Sequence, residues 1–291
     1  MDYVTLAPGL PASSRLGFGC GSVMGRVARG ESLRAIAAAL DHGITHFDVA
    51  RAYGYGEAEG LLGAALRGHR DRVVVASKFG LIAPRGSGVL RRLKPMAQGV
   101  VGAIPALRPV LRAAIGGNER AAGRFSVGTA QASLDQSLAA LATDYLDILF
   151  LHDCEPEDLT DELTAFLDAQ IAAGKIRAYG VATSIEAVAA LSRRHGDKLL
   201  CQFANSVYVR NAETLPRGTR RFIAHSPFSG GDRVGIAKPH RLMLGWALAQ
   251  DNVAVVLCSM LDETHLRANL DVAERPDFTE ADLAALAAAA P

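Results

Sequence analysis

Four polar residues carry most of the chemical information in this sequence: Asp48, Tyr53, Lys78 and His152. Three of them close short apolar runs typical of β-strands, "ITHFD", "VVVASK" and "LDILFLH", and Tyr53 follows Asp48 in a glycine-rich turn. Side chains at the carboxyl ends of parallel strands converge on one face of an α/β sheet, where ligands bind. A carboxylate, a phenol, an ammonium and an imidazole that meet there can move a proton at neutral pH, so the sequence predicts an enzyme.

This set of side chains can supply a proton to a developing alkoxide, the group that forms when a carbonyl is reduced. The phenol of Tyr53 is the donor of that proton, and we expect the ammonium of Lys78 to lower the phenol pKa toward neutrality. Asp48 would hold Lys78, and His152 would orient the carbonyl oxygen. Taken singly, each residue also has a structural interpretation, such as a strand-end ion pair. Tyr55 is a rival for Tyr53, but the spacing from Asp48 favours Tyr53.

Composition and charge narrow the class of protein. The chain has 291 residues, 49% apolar and 21% charged, which is typical of a globular enzyme with a sizeable core and compatible with a single α/β-barrel domain over 1–291. A formal net charge of +1 gives no reason to expect nucleic acid or a membrane surface as a partner. No signal peptide or long apolar span stands out, so we expect a cytoplasmic protein. The four cysteines are widely spaced and predict reduced thiols, with no metal site: Cys20, Cys154, Cys201 and Cys258.

Strand-like and helix-like segments alternate along the whole chain, which predicts a parallel sheet covered by helices. Ser126 is a predicted helix N-cap, and Gly43 and Gly174 occupy positions where a helix would end. The alanine-rich tail, 284–290, predicts a terminal helix that closes the barrel, and the short connection before 222 predicts a truncated covering helix. Eight strand candidates, the number that closes a (β/α)8 TIM barrel, are 16–19, 44–48, 73–77, 146–151, 177–181, 199–204, 222–225 and 253–257.

A long segment, 81–125, interrupts this alternation after the third strand. It contains eight basic residues against a single acid, Glu119, and it exceeds the usual length of a βα loop. One interpretation is a short extra helix, at roughly 100–115, within a solvated loop. The other is a basic lid over the pocket that favours an anionic substrate or holds the cofactor phosphates.

The chain resembles the aldo-keto reductases over nearly its whole length. The stretches that carry the resemblance include "GITHFDVARAYGYGEAEGLLGAAL" (43–66), "VVVASKFG" (73–80), "SLDQSLAALATDYLDILFLH" (133–152) and "FIAHSPFSGG" (222–231). The resemblance implies that Asp48, Tyr53, Lys78 and His152 are the catalytic tetrad of that family. It also implies a (β/α)8 barrel that binds a nicotinamide cofactor without a Rossmann domain.

The sequence matches the family less completely at the positions that bind the cofactor. Ala182 and Asn205 stand where the family has a serine and a stacking aromatic. The alternatives for the stacking role are Phe203, Tyr208 or its absence. The Lys and Arg that hold the 2′-phosphate of NADP fall on Ser259 and His265. The family habit, the basic segment and a substitute arginine favour NADP, with NAD as the alternative. The implied cofactor-binding residues are Thr183, Gln202, Ser226, Phe228, Gly230, Arg267 and Asn269.

Two functions follow. The first is an NAD(P)-dependent oxidoreductase that interconverts a small-molecule carbonyl, such as an aldehyde, ketone or sugar lactol, and an alcohol. The second keeps the barrel and the tetrad for proton chemistry without hydride transfer, as a lyase, a dehydratase or a cofactor sensor. The changes at the cofactor positions motivate this second interpretation. Neither the identity of the substrate nor the oligomeric state follows from the sequence.

Overall fold

The computed structural model describes residues 1–24, 27–81, 123–218, 221–230, 239–275 and 279–289. Eight parallel strands form a closed barrel in which each strand pairs with the next along the chain and the last pairs with the first. This confirms the predicted fold class, and each predicted strand forms within two residues of its expected bounds. The barrel strands are β3 (Leu16–Gly19), β4 (His46–Asp48), β5 (Val74–Phe79), β6 (Leu146–His152), β7 (Ile176–Ala182), β8 (Leu200–Ala204), β9 (Phe222–His225) and β10 (Val253–Cys258).

Helices follow the strands and cover the barrel. Ser126 caps the helix after β5, as predicted, because its hydroxyl accepts a hydrogen bond from the Thr129 N–H at 3.3 Å. Gly43 and Gly174 follow two helix ends with φ of +80° and +72°, a conformation that glycine adopts without a steric penalty. The helices are α1 (Arg29–Asp41), α2 (Ala58–Ala65), α3 (Val127–Leu141), α4 (Asp161–Ala172), α5 (Ile185–His195), α6 (Pro239–Ala249), α7 (Glu263–Glu274) and α8 (Glu280–Ala289).

Alternate residues of each strand point into the barrel, as the period of two in a β-strand requires. A buried cluster that includes Ile148, Phe150 and Ile223 fills the interior. At the amino-terminal end of the barrel, an antiparallel hairpin of β1 (Tyr3–Val4) and β2 (Ser13–Ser14) contributes Leu6 and Leu10 to the same cluster. The hairpin therefore closes the end of the barrel opposite the one where the strands finish.

Between β8 and β9 the described residues contain only a short 3-10 turn, Asn211–Thr214, which confirms the predicted truncation of the covering helix. Buried Asn252 holds this connection, because its Nδ2 donates to the carbonyl oxygens of Ala212 at 2.8 Å and Pro216 at 3.1 Å. Arg210 donates to the Ala287 carbonyl of α8, and α8 packs against α6. The terminal helix thus fastens the segment that lacks a full helix of its own.

Most of the basic segment, 81–125, lies outside the described residues, so its role as a lid stays a prediction. Its carboxyl end is described: the ring of Phe125 packs edge-on against Phe79 at a centroid distance of 5.8 Å. Where the chain is described, none of its helices has the length and apolar character needed to cross a bilayer.

Candidate active site

The carboxyl ends of the strands bring Asp48, Lys78 and His152 to one face of the barrel. Asp48 ends β4, Lys78 lies one residue before the end of β5, and His152 ends β6. They line a cavity of about 870 Å³ together with Tyr53. The four residues that the sequence singled out therefore meet in one space.

An ion pair between Lys78 and Asp48 forms the buried base of this cavity. Lys78 also donates to the Val49 carbonyl oxygen at 3.2 Å, and Gln202 Nε2 donates to Asp48 Oδ2 at 3.0 Å. Burial opposes the charged ammonium, but the Asp48 carboxylate and the Tyr53 phenol outweigh it and raise the pKa of Lys78. Lys78 is therefore a fixed positive charge, and its partner, the Asp48 carboxylate, is held by both Lys78 and Gln202.

Tyr53 begins a 3-10 turn, Tyr53–Gly56, that directs its ring over this ion pair. The ring centroid lies 5.1 Å from Lys78 Nζ, and the ring of His152 approaches it edge-on at 5.9 Å. Gly54 permits the turn, because it has a φ of +57° and a Cβ there would lie 2.7 Å from the Val23 carbonyl oxygen. Tyr55, the rival phenol, is not among the residues that line the described cavity.

The environment of Tyr53 differs from the expectation that Lys78 would bring its pKa toward neutrality. Desolvation by burial is the largest influence and raises the pKa of Tyr53, and the ammonium of Lys78 offsets only part of that effect. The reason is the partial burial of the phenol in the assembled cavity, which a sequence pattern does not reveal. The raised pKa favours the protonated form of Tyr53.

His152 is electrically neutral in this cavity. Burial, followed by positive charges that include those of Lys78 and Arg124, lowers the pKa of His152 to about 3. Its Nδ1 is buried and has no hydrogen-bond partner among the described residues. A neutral imidazole can hydrogen-bond a ligand oxygen without adding a charge.

His225 is a second imidazole in the cavity, and the sequence analysis did not single it out as a functional residue. Its Nδ1 lies 2.9 Å from the hydroxyl of Ser226, whose backbone has a φ of +60°. Burial lowers the pKa of His225, so this ring is also held toward its neutral form. Its position at the end of "FIAH", equivalent to that of His152 at the end of "LDILFLH", is the signal that could have identified it.

The predicted cofactor-binding residues separate into two groups. Gln202, Ser226 and Phe228 line the cavity with the tetrad. Thr183 instead donates its hydroxyl proton to the Cys154 carbonyl oxygen at 2.6 Å, and it does not line the described cavity. The remaining three are not among the lining residues either: Gly230, Arg267 and Asn269.

Asn205, which stands at the position of the family's stacking aromatic, and its two candidate replacements also have structural roles. Asn205 accepts a hydrogen bond from the Ala212 N–H at 3.0 Å and supports the connection after β8. Phe203 packs against Phe222 in the layer between the barrel and its cover. The ring of Tyr208 lies against Gly230, where a Cβ would approach it to 2.5 Å.

Gln202 indicates that the cavity suits a nicotinamide. Its Nε2 is committed to Asp48, whereas its Oε1 is buried and has no partner among the described residues. A buried acceptor without a partner is costly, so a ligand that donates a hydrogen bond would be stabilised there. The amide group of a nicotinamide is such a donor.

Comparison with known proteins agrees with this geometry. The profile of the "Aldo/keto reductase family" matches residues 15–231. The chain belongs to the aldo/keto reductase family. The prediction of the family from the sequence is therefore confirmed.

The sequence identity to individual members of the family is low. The chain is 32% identical over 149 residues to 6-dehydroglucose reductase of Agrobacterium fabrum, covering 50% of this chain and 41% of that protein. It is 31% identical over 193 residues to the aldo-keto reductase YhdN of Bacillus subtilis, covering 64% and 48%. The matched part of the chain thus spans under half the length of these two curated relatives.

Solved structures confirm the fold. The holo form of the aldo-keto reductase AKR11C1 from Bacillus halodurans superimposes with a TM-score of 0.72 at 20% identity, and the match covers 100% of this chain and 97% of that chain. At this level of identity the likeness concerns the barrel architecture and not the choice of substrate.

Proposed function

We propose that this protein is a nicotinamide-dinucleotide-dependent oxidoreductase that interconverts a small-molecule carbonyl and an alcohol. The observation that carries the proposal is the meeting of Asp48, Tyr53, Lys78 and His152 in one cavity beside the unpartnered Oε1 of Gln202. The first group supplies proton chemistry, and the second supplies an acceptor for an amide. Together they favour a reaction that combines a dinucleotide with proton transfer.

In this mechanism Tyr53 is the general acid of reduction. A bound dinucleotide supplies the hydride. Tyr53 donates its phenolic proton to the oxygen of the carbonyl group, and Lys78 stabilises the phenolate that remains. Asp48 keeps Lys78 in place through the buried ion pair. In the oxidative direction, the phenolate of Tyr53 accepts the proton of the alcohol.

His152 orients the substrate in this proposal. The neutral ring lies edge-on to Tyr53 and can hydrogen-bond the carbonyl oxygen, which places that oxygen close to the phenol. His225, which lines the same cavity, is a further group held toward its neutral form, and it can contact the substrate or the dinucleotide.

The remaining cofactor assignments follow the resemblance and stay proposals. Gln202 would hold the carboxamide, and Ser226 and Phe228 would face the ribose and pyrophosphate from the segment after β9. Arg267 and Asn269 lie on α7, and their proposed contact with the adenosine end depends on how the dinucleotide leaves the cavity. The family habit favours NADP, with NAD as the alternative.

The names of the relatives support a carbonyl of the sugar type as the substrate class. They include 6-dehydroglucose reductase of Agrobacterium fabrum and D-threo-aldose 1-dehydrogenase of a Pseudomonas species. The non-redox alternative gains no support from this group, because these relatives are named as a reductase and a dehydrogenase.

The experiment is a spectrophotometric assay of the purified full-length protein. Reduced dinucleotide is mixed with a panel of aldehydes, ketones and aldoses, and the loss of its absorbance is followed. Turnover by the wild-type protein, and its loss in Tyr53→Phe, is the expected result. Tight calorimetric binding of a reduced dinucleotide without turnover of any carbonyl would instead favour the sensor, and the absence of binding would reject the proposal.

A further inference from the structure

A groove of about 530 Å³ lies between α1 and the amino-terminal end of α7. Ser22 and Ser259 line both this groove and the catalytic cavity, so the groove is a lateral extension of that cavity. A dinucleotide has a second nucleotide beyond its nicotinamide half. With the amide at Gln202, the groove offers the adenosine end a site that adjoins the cavity directly.

Negative charge predominates on the described wall of this groove. Three carboxylates line it, those of Glu31, Asp262 and Glu263, against a single guanidinium, that of Arg34. Ser259 also lines it and contributes no charge. An added phosphate dianion would meet more repulsion than attraction along this wall.

The amino-terminal end of α7 is already occupied by a carboxylate. Asp262 Oδ1 accepts hydrogen bonds from the backbone N–H groups of Thr264 at 2.8 Å and His265 at 3.3 Å. These bonds lower the pKa of Asp262, so the group stays ionised. The backbone donors that would bind a phosphate at a helix start are therefore taken.

Arg267, the substitute clamp suggested by the sequence, is paired with an acid. Its Nη2 and Nε lie 2.6 Å and 3.1 Å from Glu263 Oε1, one helical turn away. Both side chains are largely exposed, so the pair is weak and Arg267 can turn to another partner. If the Arg267 side chain rotated toward a bound phosphate, the Glu263 carboxylate would be left unpaired beside that phosphate. The repulsion between the two anions would cancel much of the attraction gained from Arg267.

We propose that the groove takes the adenosine end of the dinucleotide and selects NAD over NADP, with Glu263 as the specificity-determining residue. Carboxylates can accept hydrogen bonds from the free ribose hydroxyls of NAD, whereas they repel a 2′-phosphate. This inference rests on the proposed function, and it opposes the preference for NADP that the resemblance suggests.

Calorimetric titration of the full-length protein with NADH and with NADPH tests the inference without any need for turnover. Wild-type protein should bind NADH at least tenfold more tightly, a difference of about 1.4 kcal/mol. Glu263→Gln removes a charge and releases Arg267, so its affinity for NADPH should rise about fivefold while its affinity for NADH changes less than twofold. The double variant Glu263→Gln, Arg267→Gln should lose part of that gain.

The matched control is Glu186→Gln, which removes an exposed acid from the first turn of α5 and lies outside the groove. It should leave the ratio of the two affinities unchanged. Tighter binding of NADPH by the wild-type protein would overturn the inference and leave the proposed function intact. An unchanged ratio of NADH to NADPH affinity in Glu263→Gln would also overturn the inference and leave the proposed function intact. So would a selective loss of NADPH affinity in Arg34→Gln. Binding of neither dinucleotide would reject the proposed function itself.

Discussion

At the scale of single residues, the proposed proton transfer depends on Tyr53. Replacing Tyr53 with Phe removes the proposed proton donor and almost no volume, so fold and dinucleotide affinity should persist. Turnover should fall by roughly 10²–10⁴-fold, the usual contribution of a general acid. Steady-state kinetics beside calorimetric binding measures both quantities. Tyr55→Phe is the control, and a larger loss in that variant than in Tyr53→Phe would exchange the roles of the two phenols.

The directions of the pKa shifts predict how rate depends on pH. Reduction needs the protonated form of Tyr53, which is present below its pKa and lost as pH rises through it. Because burial raises that pKa, reductive kcat/KM should stay level between about pH 5 and pH 9. His152, with a pKa of about 3, should contribute no inflection near its ordinary value of about 6.5.

The oxidative direction should show the opposite dependence, since it needs the Tyr53 phenolate and therefore gains rate as pH rises. Measurement of kcat/KM across this range in both directions checks the two slopes. A reductive limb near the ordinary histidine pKa that disappears in His152→Gln would show that the imidazole titrates, contrary to this account.

At the scale of elements, the connection between β8 and β9 depends on one amide. Asn252→Ala leaves the carbonyl oxygens of Ala212 and Pro216 without their buried donor, so stability should fall by about 1–3 kcal/mol. Urea denaturation measures the loss, and kcat should stay close to that of the wild type because the site is remote. Gln250→Ala, which removes a half-buried amide bonded to the Trp246 carbonyl oxygen, is the control and should cost less.

Much of this architecture could be predicted from local sequence. The strands are short apolar runs between helix signals, and Ser126, Gly43 and Gly174 act through their immediate neighbours, so their positions follow from the sequence alone. The direction of the Tyr53 pKa shift and the place of His225 could not be obtained in that way. Both depend on how separate loops exclude water and enclose one space, which is a property of the assembled barrel.

At the scale of the whole molecule, the basic segment is the largest part of the sequence without an assigned structural role. Its carboxyl end belongs to the barrel, since Phe125 packs on Phe79 and Arg124 donates to the Asp153 carbonyl oxygen. A test of the lid should therefore keep this end and replace 84–120 with a short Gly-Ser linker. The shortened protein should fold, because βα loops are largely separable from barrel stability, and its KM should rise more than its Tm falls.

Limited proteolysis gives a second measure of the same segment. If it closes over the cavity, dinucleotide or substrate should slow its cleavage in the full-length protein. Unchanged kinetics in the shortened protein would show that the segment is a surface loop without a role in turnover. Failure of the shortened protein to fold would show that the segment belongs to the core.

The hairpin at the amino-terminal end of the barrel bears on the order of events in turnover. With Leu6 and Leu10 filling that end, the described cavity opens at the face where the strands finish. Substrate and dinucleotide would therefore pass through a common entrance, and the molecule bound deeper would be enclosed by the one bound above it. If the nicotinamide rests against Gln202 at the base of the cavity, the dinucleotide arrives first and departs last. Product-inhibition kinetics would then follow an ordered mechanism, in which the oxidised and reduced dinucleotides compete only for the ligand-free protein.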